Sequence, residues 1–212
     1  MKVITVLNHK GGVGKTFISC VLAELLMIAG KKVVVLDLDD QLNSVDHLRK
    51  MDGTPVFEAI DIVEACSEIP DFTVLEAERY DVAIADTPPQ FIVNPIVRDV
   101  MEHSDMFIIP FMLNRHSLFG VEKTLSLLPE GKPILPICSH TSVMTKDKKE
   151  LLKLVNEQLG SDDRNLKKVL HLPWYDRVDA NLSERRDFFF GLTEKQYKMF
   201  SRFASEVLKV IV

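Results

Sequence analysis

Asn8-His9-Lys10-Gly11-Gly12-Val13-Gly14-Lys15-Thr16 joins two runs of different periodicity. Residues 3–7 are continuously apolar and β-branched, as in a buried parallel strand. Residues 17–29 place Ile18, Val21, Leu22, Leu25 and Leu26 at helical spacing; Gly30 ends that helix, and Lys31-Lys32 sit where its dipole favours cations. Strand, glycine-rich turn and helix, in that order, is the setting of a phosphate-binding loop. The glycines let backbone N–H groups converge on an anion, and the helix behind adds its partial positive charge. Lys15 is placed to reach the outer phosphates, and Thr16 to offer a hydroxyl to Mg²⁺.

Working outward, two more strands end in carboxylates. Residues 33–36 run into Asp37-Leu38-Asp39-Asp40-Gln41-Leu42-Asn43. Tyr80-Asp81-Val82-Ala83-Ile84-Ala85-Asp86 runs into Thr87-Pro88-Pro89, whose prolines prevent a helix and fix the exit loop. Ligands of open α/β sheets bind where such strands end.

The string K-G-G-V-G-K-T, with Lys10 before the glycines and His9 where a common P-loop has its first glycine, resembles the deviant Walker A box of the ParA/MinD family of ATPases. Asp37 to Asn43 resembles that family's second box, D-x-D-P-Q-x-N, with Asp40 in place of proline; residues 80–89 resemble its Walker B strand. The resemblance implies ATP bound by Lys10, Gly11, Gly12, Val13, Gly14, Lys15, Thr16 and Phe17, with Pro173 and Trp174 against the adenine. It implies catalytic roles for Lys10, Lys15 and Asp39, with Lys10 crossing to the nucleotide of a partner subunit. It implies Mg²⁺ held by Thr16, with Asp37 and Asp86 acting through water.

The chain has 212 residues, 46% hydrophobic and 27% charged, which suits one α/β domain. The net charge of −5 does not announce a nucleic-acid binder, but it is uneven: residues 144–212 hold 14 of the 26 basic and 11 of the 31 acidic residues. Lys146, Lys148, Lys149 and Lys153 gather at a helix N-terminus, where cations oppose the dipole. The three cysteines are far apart and the six histidines scattered, so neither an iron–sulfur nor a zinc site is expected, and a reducing cytosol is the natural compartment. No apolar run approaches a membrane span.

Further strands are expected at 54–60 (a weak edge), 106–110, 134–138 and 169–172. Helices are expected at 43–50, 72–79, 93–102, 114–128, 146–159 (capped by Thr145, closed by Gly160), 178–184 and 194–211, with a loop at 139–142. Strands alternating with helices predict a mostly parallel twisted sheet covered on both faces, the three-layer α/β/α form. The chain starts at the first strand without a helix-turn-helix, so operator reading is not expected. The resemblance implies an ATP-sandwich homodimer that binds non-specific DNA and positions plasmid, chromosome or other cargo with a ParB-like adaptor, in the cytoplasm on the nucleoid. Candidate DNA contacts are Lys146, Lys148, Lys149, Arg185, Arg186 and Arg202. The alternatives are a MinD-like ATPase whose last helix lies on a membrane, or a small-molecule ligase on the same fold.

Overall fold

The computed structural model describes residues 1–89, 91–139, 144–160 and 165–211. Among these, seven strands form one all-parallel sheet: β1 (Lys2–Val6), β2 (Val33–Asp37), β3 (Ile60–Glu64), β4 (Val82–Asp86), β5 (Met106–Phe111), β6 (Ile134–Cys138) and β7 (Leu170–His171). Their order is β3-β2-β4-β1-β5-β6-β7. β1 therefore lies at the centre, with strands added to one side and then the other, and the crevice at its carboxyl end is the topological switch point where ligands of such sheets sit.

Alternation along the buried strands sends side chains to two cores. Ile4, Val6, Val33, Val35, Ile84 and Ile108 pack against α1 (Lys15–Ile28) and α8 (Glu194–Ile211). Val3, Val34, Leu36, Ala83, Phe107 and Ile109 pack on the other face, against α4 (Pro95–His103) and α5 (Arg115–Leu125). Both helices of that second face start at asparagine caps: Asn94 accepts from the N–H of Ile96 and Val97, and Asn114 from that of Ser117. α8 opens with a capping box: Thr193 Oγ1 accepts the Gln196 N–H, and Gln196 Oε1 accepts the Thr193 N–H.

The edge strand differs from the sequence expectation. It runs over Ile60–Glu64, not 54–60. Pro55 lacks a ladder donor, and its segment only bridges back to Arg49; Ile60, Ile62 and Val63 supply the β-branched strand beside β2. α2 (Asn43–Leu48), α3 (Phe72–Ala77), α5 and β7 are shorter than expected. Helix 93–102 instead starts at Pro95, behind a 3₁₀ turn over Phe91–Val93. α7 (Asp176–Ser183) starts two residues earlier, and α6 (Lys146–Gly160) continues through Gly160. His140 to Ser142 of the expected loop lie outside the described residues.

Glu24 is an acid inside this fold. It lies on α1, 1% exposed, and accepts the Phe188 N–H at 3.0 Å while hydrogen-bonding to Asp187. Burial, then Asp187, push its carboxyl up to about 9, so it is neutral at pH 7 and can donate its proton. The folded state holds that proton more tightly than the unfolded chain. The stabilisation is therefore complete below the ordinary value of 4.5 and is lost as pH rises to about 9. Glu24→Gln keeps both hydrogen bonds without needing a proton. We expect wild type to lose stability relative to Glu24→Gln by up to about 1.4 kcal/mol per pH unit across that window. Melting curves of both proteins from pH 5 to pH 9 check this; parallel pH profiles would contradict it.

Candidate functional site

The loop between β1 and α1 is held from three sides. Gly14, the N-cap of α1, has φ +89°, a left-handed conformation that a side chain would strain. From the end of β6, Ser139 Oγ donates to the Val13 carbonyl at 2.7 Å. At the start of the loop, buried Asn8 donates through Nδ2 to Pro110 O and accepts the Lys10 N–H through Oδ1, both at 2.8 Å. α5 closes that side: the His9 N–H donates to Thr124 Oγ1 at 3.0 Å, and the Lys123 ammonium donates to His9 Nε2 at 2.9 Å. Burial and then Lys123 push the His9 pKa below its ordinary value. Gly120 permits this approach, since a Cβ there would lie 2.9 Å from Asn8 Oδ1 and 3.0 Å from Lys10 Cβ. The Lys10 backbone is thus pinned, while its side chain is exposed and engages no group among the described residues.

The loop floors an open cleft of about 980 Å³, lined by Gly11, Gly12, Gly14, Lys15 and Thr16 on one side and by Asp39, Asn43, Pro88 and Trp174 on others. Lys10 does not line it, and Val13 is buried beneath it. Lys15 is 7% exposed; burial lowers its pKa, and Asp86 and then Asp39 oppose that shift. The Trp174 ring packs tilted against Phe17, centroids 4.4 Å apart; Phe17 is buried at the start of α1, Pro173 is buried too, and neither lines the cleft.

Strand register brings the carboxylates together. Asp37 and Val6 both pair with Asp86 across adjacent strands. Asp86 is buried, and its carboxylate accepts from Ser44 Oγ at 2.7 Å, from Ser19 Oγ at 3.3 Å and from Thr16. Burial pushes it up to about 6 against the pull of Ser44, Thr16 and Lys15. Asp37 is 0% exposed and does not face the cleft; its carboxylate gathers the N–H groups of Asp39 and Val45 at 3.2 and 3.0 Å, which fixes the turn between β2 and α2. Asp39 stands on that turn, half-buried in the cleft wall, and accepts the Gln41 N–H at 3.1 Å. Ser19, Ser44, Asn8, Gly120 and Thr124 are site residues that sequence reading missed.

The oxygen donors fit Mg²⁺. The Thr16 hydroxyl already meets the Asp86 carboxylate, and Asp39 faces the same cleft: a small, hard-oxygen set of the kind that holds Mg²⁺ together with phosphates. No cluster of three or more His, Cys, Asp or Glu among the described residues could hold an ion by itself.

The DNA candidates divide. Arg185 pairs with Asp46 and Arg186 with Glu184, and Lys148 is also engaged. Lys146, Lys149 and Arg202 are exposed. No described helix is long and apolar enough to cross a membrane.

Comparison with known proteins agrees with this geometry. A family model described as "AAA domain" matches residues 1–68. The chromosome-partitioning ATPase Soj of Thermus thermophilus is 27% identical over 60% of this chain and 61% of its own length. The antiactivator FleN of Pseudomonas aeruginosa is 26% identical over 91% of this chain and 70% of its own. The chain thus spans about three-fifths of the first relative and seven-tenths of the second. Among solved structures, a plasmid partition protein of Borrelia burgdorferi bound to AMPPNP superposes with TM-score 0.71 at 18% identity, covering 98% of both chains. pNOB8 ParA bound to nonspecific DNA gives 0.71 at 19% identity over 99% of this chain and 98% of that one. Aquifex aeolicus MinD gives 0.66 at 14% identity over 99% and 98%. At such identities the superpositions show the fold, and the family model and the sequence relatives, with the lysine-bracketed glycine loop and its two strand-end carboxylates, support a P-loop domain similar to the ParA/MinD ATPases.

Proposed function

We propose that the chain is a Mg²⁺-dependent ATPase that pairs face to face through two ATP molecules, binds DNA without sequence preference when paired, and positions a cargo under a stimulating adaptor of ParB type. One observation carries this reading: Lys10 is anchored through its backbone, while its side chain is exposed and outside the lining of its own cleft. An exposed cation beside a phosphate loop suits a second nucleotide facing the first, where phosphate charge accumulates. Mg²⁺, when bound, supplies charge neutralisation at the phosphates. The residues do the remainder: the loop N–H groups and Lys15 bind phosphate, and Asp39 orients the attacking water. Asp37 holds the turn that carries Asp39, and Trp174, backed by the buried Phe17 ring, offers an aromatic wall of the cleft to a base. Asp39→Ala is expected to keep ATP affinity within a few-fold while turnover falls about 10²-fold. Steady-state hydrolysis beside a binding titration checks it, and normal turnover would move the water-positioning role elsewhere.

The DNA complex of pNOB8 ParA and the exposed Lys146, Lys149 and Arg202 support a DNA surface and a nucleoid location. The membrane alternative asks α8 for a free apolar face, but Phe200, Phe203, Val207 and Ile211 are buried in this chain's own core. DNA binding by the ATP form is expected to weaken about 10-fold or more between 50 and 200 mM salt, since it rests on phosphate contacts. Fluorescence anisotropy on unrelated duplexes with ATP and with ADP tests the reading. Equal binding with both nucleotides would contradict it, as would flotation with liposomes in place of DNA binding.

A further inference from the structure

We infer that Ser44 is a positioning residue for ATP hydrolysis, acting through the turn that carries Asp39; the inference rests on the ATPase reading above. Ser44 lies in the first turn of α2, 0% exposed, two residues beyond Leu42, whose φ of +49° puts a branched side chain in the left-handed region. The turn from Asp37 to Val45 buries Leu38 in the core and makes several of its hydrogen bonds within itself. Asp37 gathers its N–H groups from inside, and Leu42 N donates to Asp39 O at 3.0 Å, so both interactions are internal to the segment. At its start, Leu38 N donates to Asp86 O at 2.9 Å. At its end, Ser44 Oγ donates to Asp86 Oδ2 at 2.7 Å. Both ends of the Asp39 turn are therefore fastened to one residue, and Ser44 supplies the side-chain half of that fastening.

Asp86 also receives the hydroxyls of Thr16 from the phosphate loop and Ser19 from α1. A change at Thr16 is thereby felt at Asp86, and Ser44 passes it to the Asp39 turn. Cys20 Sγ donates weakly to Ser44 Oγ at 3.9 Å, and both residues are 0% exposed, so the hydroxyl reaches Asp86 from inside the fold. Without the hydroxyl, the turn keeps its internal bonds but loses a fixed distance to the phosphate loop. An error of 1 Å in a water-positioning group is enough for a loss of order 10²-fold.

The experiment compares wild type, Ser44→Ala and Ser44→Thr in the full chain. Ser44→Ala is expected to hold ATP and ADP with Kd within about 3-fold of wild type while kcat falls by about 10-fold or more. Ser44→Thr, which retains the hydroxyl, should recover most of the loss. Hydrogen exchange adds a readout that a purely structural role would not move. A slowly hydrolysed ATP analogue should protect the amides of residues 39–45 in wild type; in Ser44→Ala that protection should be lost while protection of residues 11–16 remains. Unchanged kcat in Ser44→Ala would overturn the inference, as would unchanged protection of residues 39–45. Wild type that neither binds nor hydrolyses ATP would overturn the ATPase reading instead.

Discussion

Lys15→Ala is expected to lose ATP and ADP affinity alike, by about 10²-fold or more. Lys15 is 7% exposed on the floor of the cleft, and burial has already lowered its pKa, so its charge is costly to keep there without anions. Asp86 and Asp39 offset part of that cost in the free protein. Bound phosphates would offset the rest in a partly dry site, where removing one partner of a charge pair costs about 2–5 kcal/mol. The substitution also deprives buried Asp86 of a neighbouring cation, so its pKa should rise further, and the fold should lose a little stability rather than collapse. Calorimetric titration with both nucleotides, beside a melting curve showing that the variant is folded, checks the expectation. Near-normal affinity in a folded variant would contradict the phosphate-loop assignment.

Local pattern made the centre of the molecule legible. β1, β2 and β4 are short apolar runs that stop at turn residues or carboxylates, and their pairing places Asp37 and Asp86 side by side, as their strand-end positions suggest. The edge was less legible, because the short run at 60–64 carries two acids, Asp61 and Glu64, whose partners Tyr80 and Arg49 are distant in sequence. The same limit applies within the site. Asp37 and Asp39 look alike in the sequence; tertiary placement makes one a buried brace and the other a wall of the cleft. His9 in place of a glycine becomes intelligible once Thr124 and Lys123 of α5 are seen to hold it. Ser44 and Ser19 carry no motif at all, and only the convergence of α1 and α2 on Asp86 reveals them. Glu24 sits on an otherwise apolar helix face, a hint that it shares its proton inside the core.

Lys10→Ala is the second large effect, and it separates two sites of action. If Lys10 served its own nucleotide, its ammonium would face the cleft, and its removal would weaken ADP binding. It is instead exposed and outside the cleft lining, with its backbone held by Asn8 and its Cβ against Gly120 of α5. Two copies meeting through their nucleotides would bring opposed phosphates together, and one lysine from each copy would offset that repulsion with charge-assisted hydrogen bonds. The variant should therefore keep ADP affinity within a few-fold, yet fail to dimerise with ATP and lose turnover by about 10²-fold or more. The direct measurement is sedimentation velocity of wild type and Lys10→Ala with a slowly hydrolysed ATP analogue, beside an ADP titration of each. Wild type should sediment as a dimer with the analogue and a monomer with ADP, and Lys10→Ala as a monomer with both at unchanged ADP affinity. A variant that dimerises normally, or one whose ADP affinity collapses, would contradict the account.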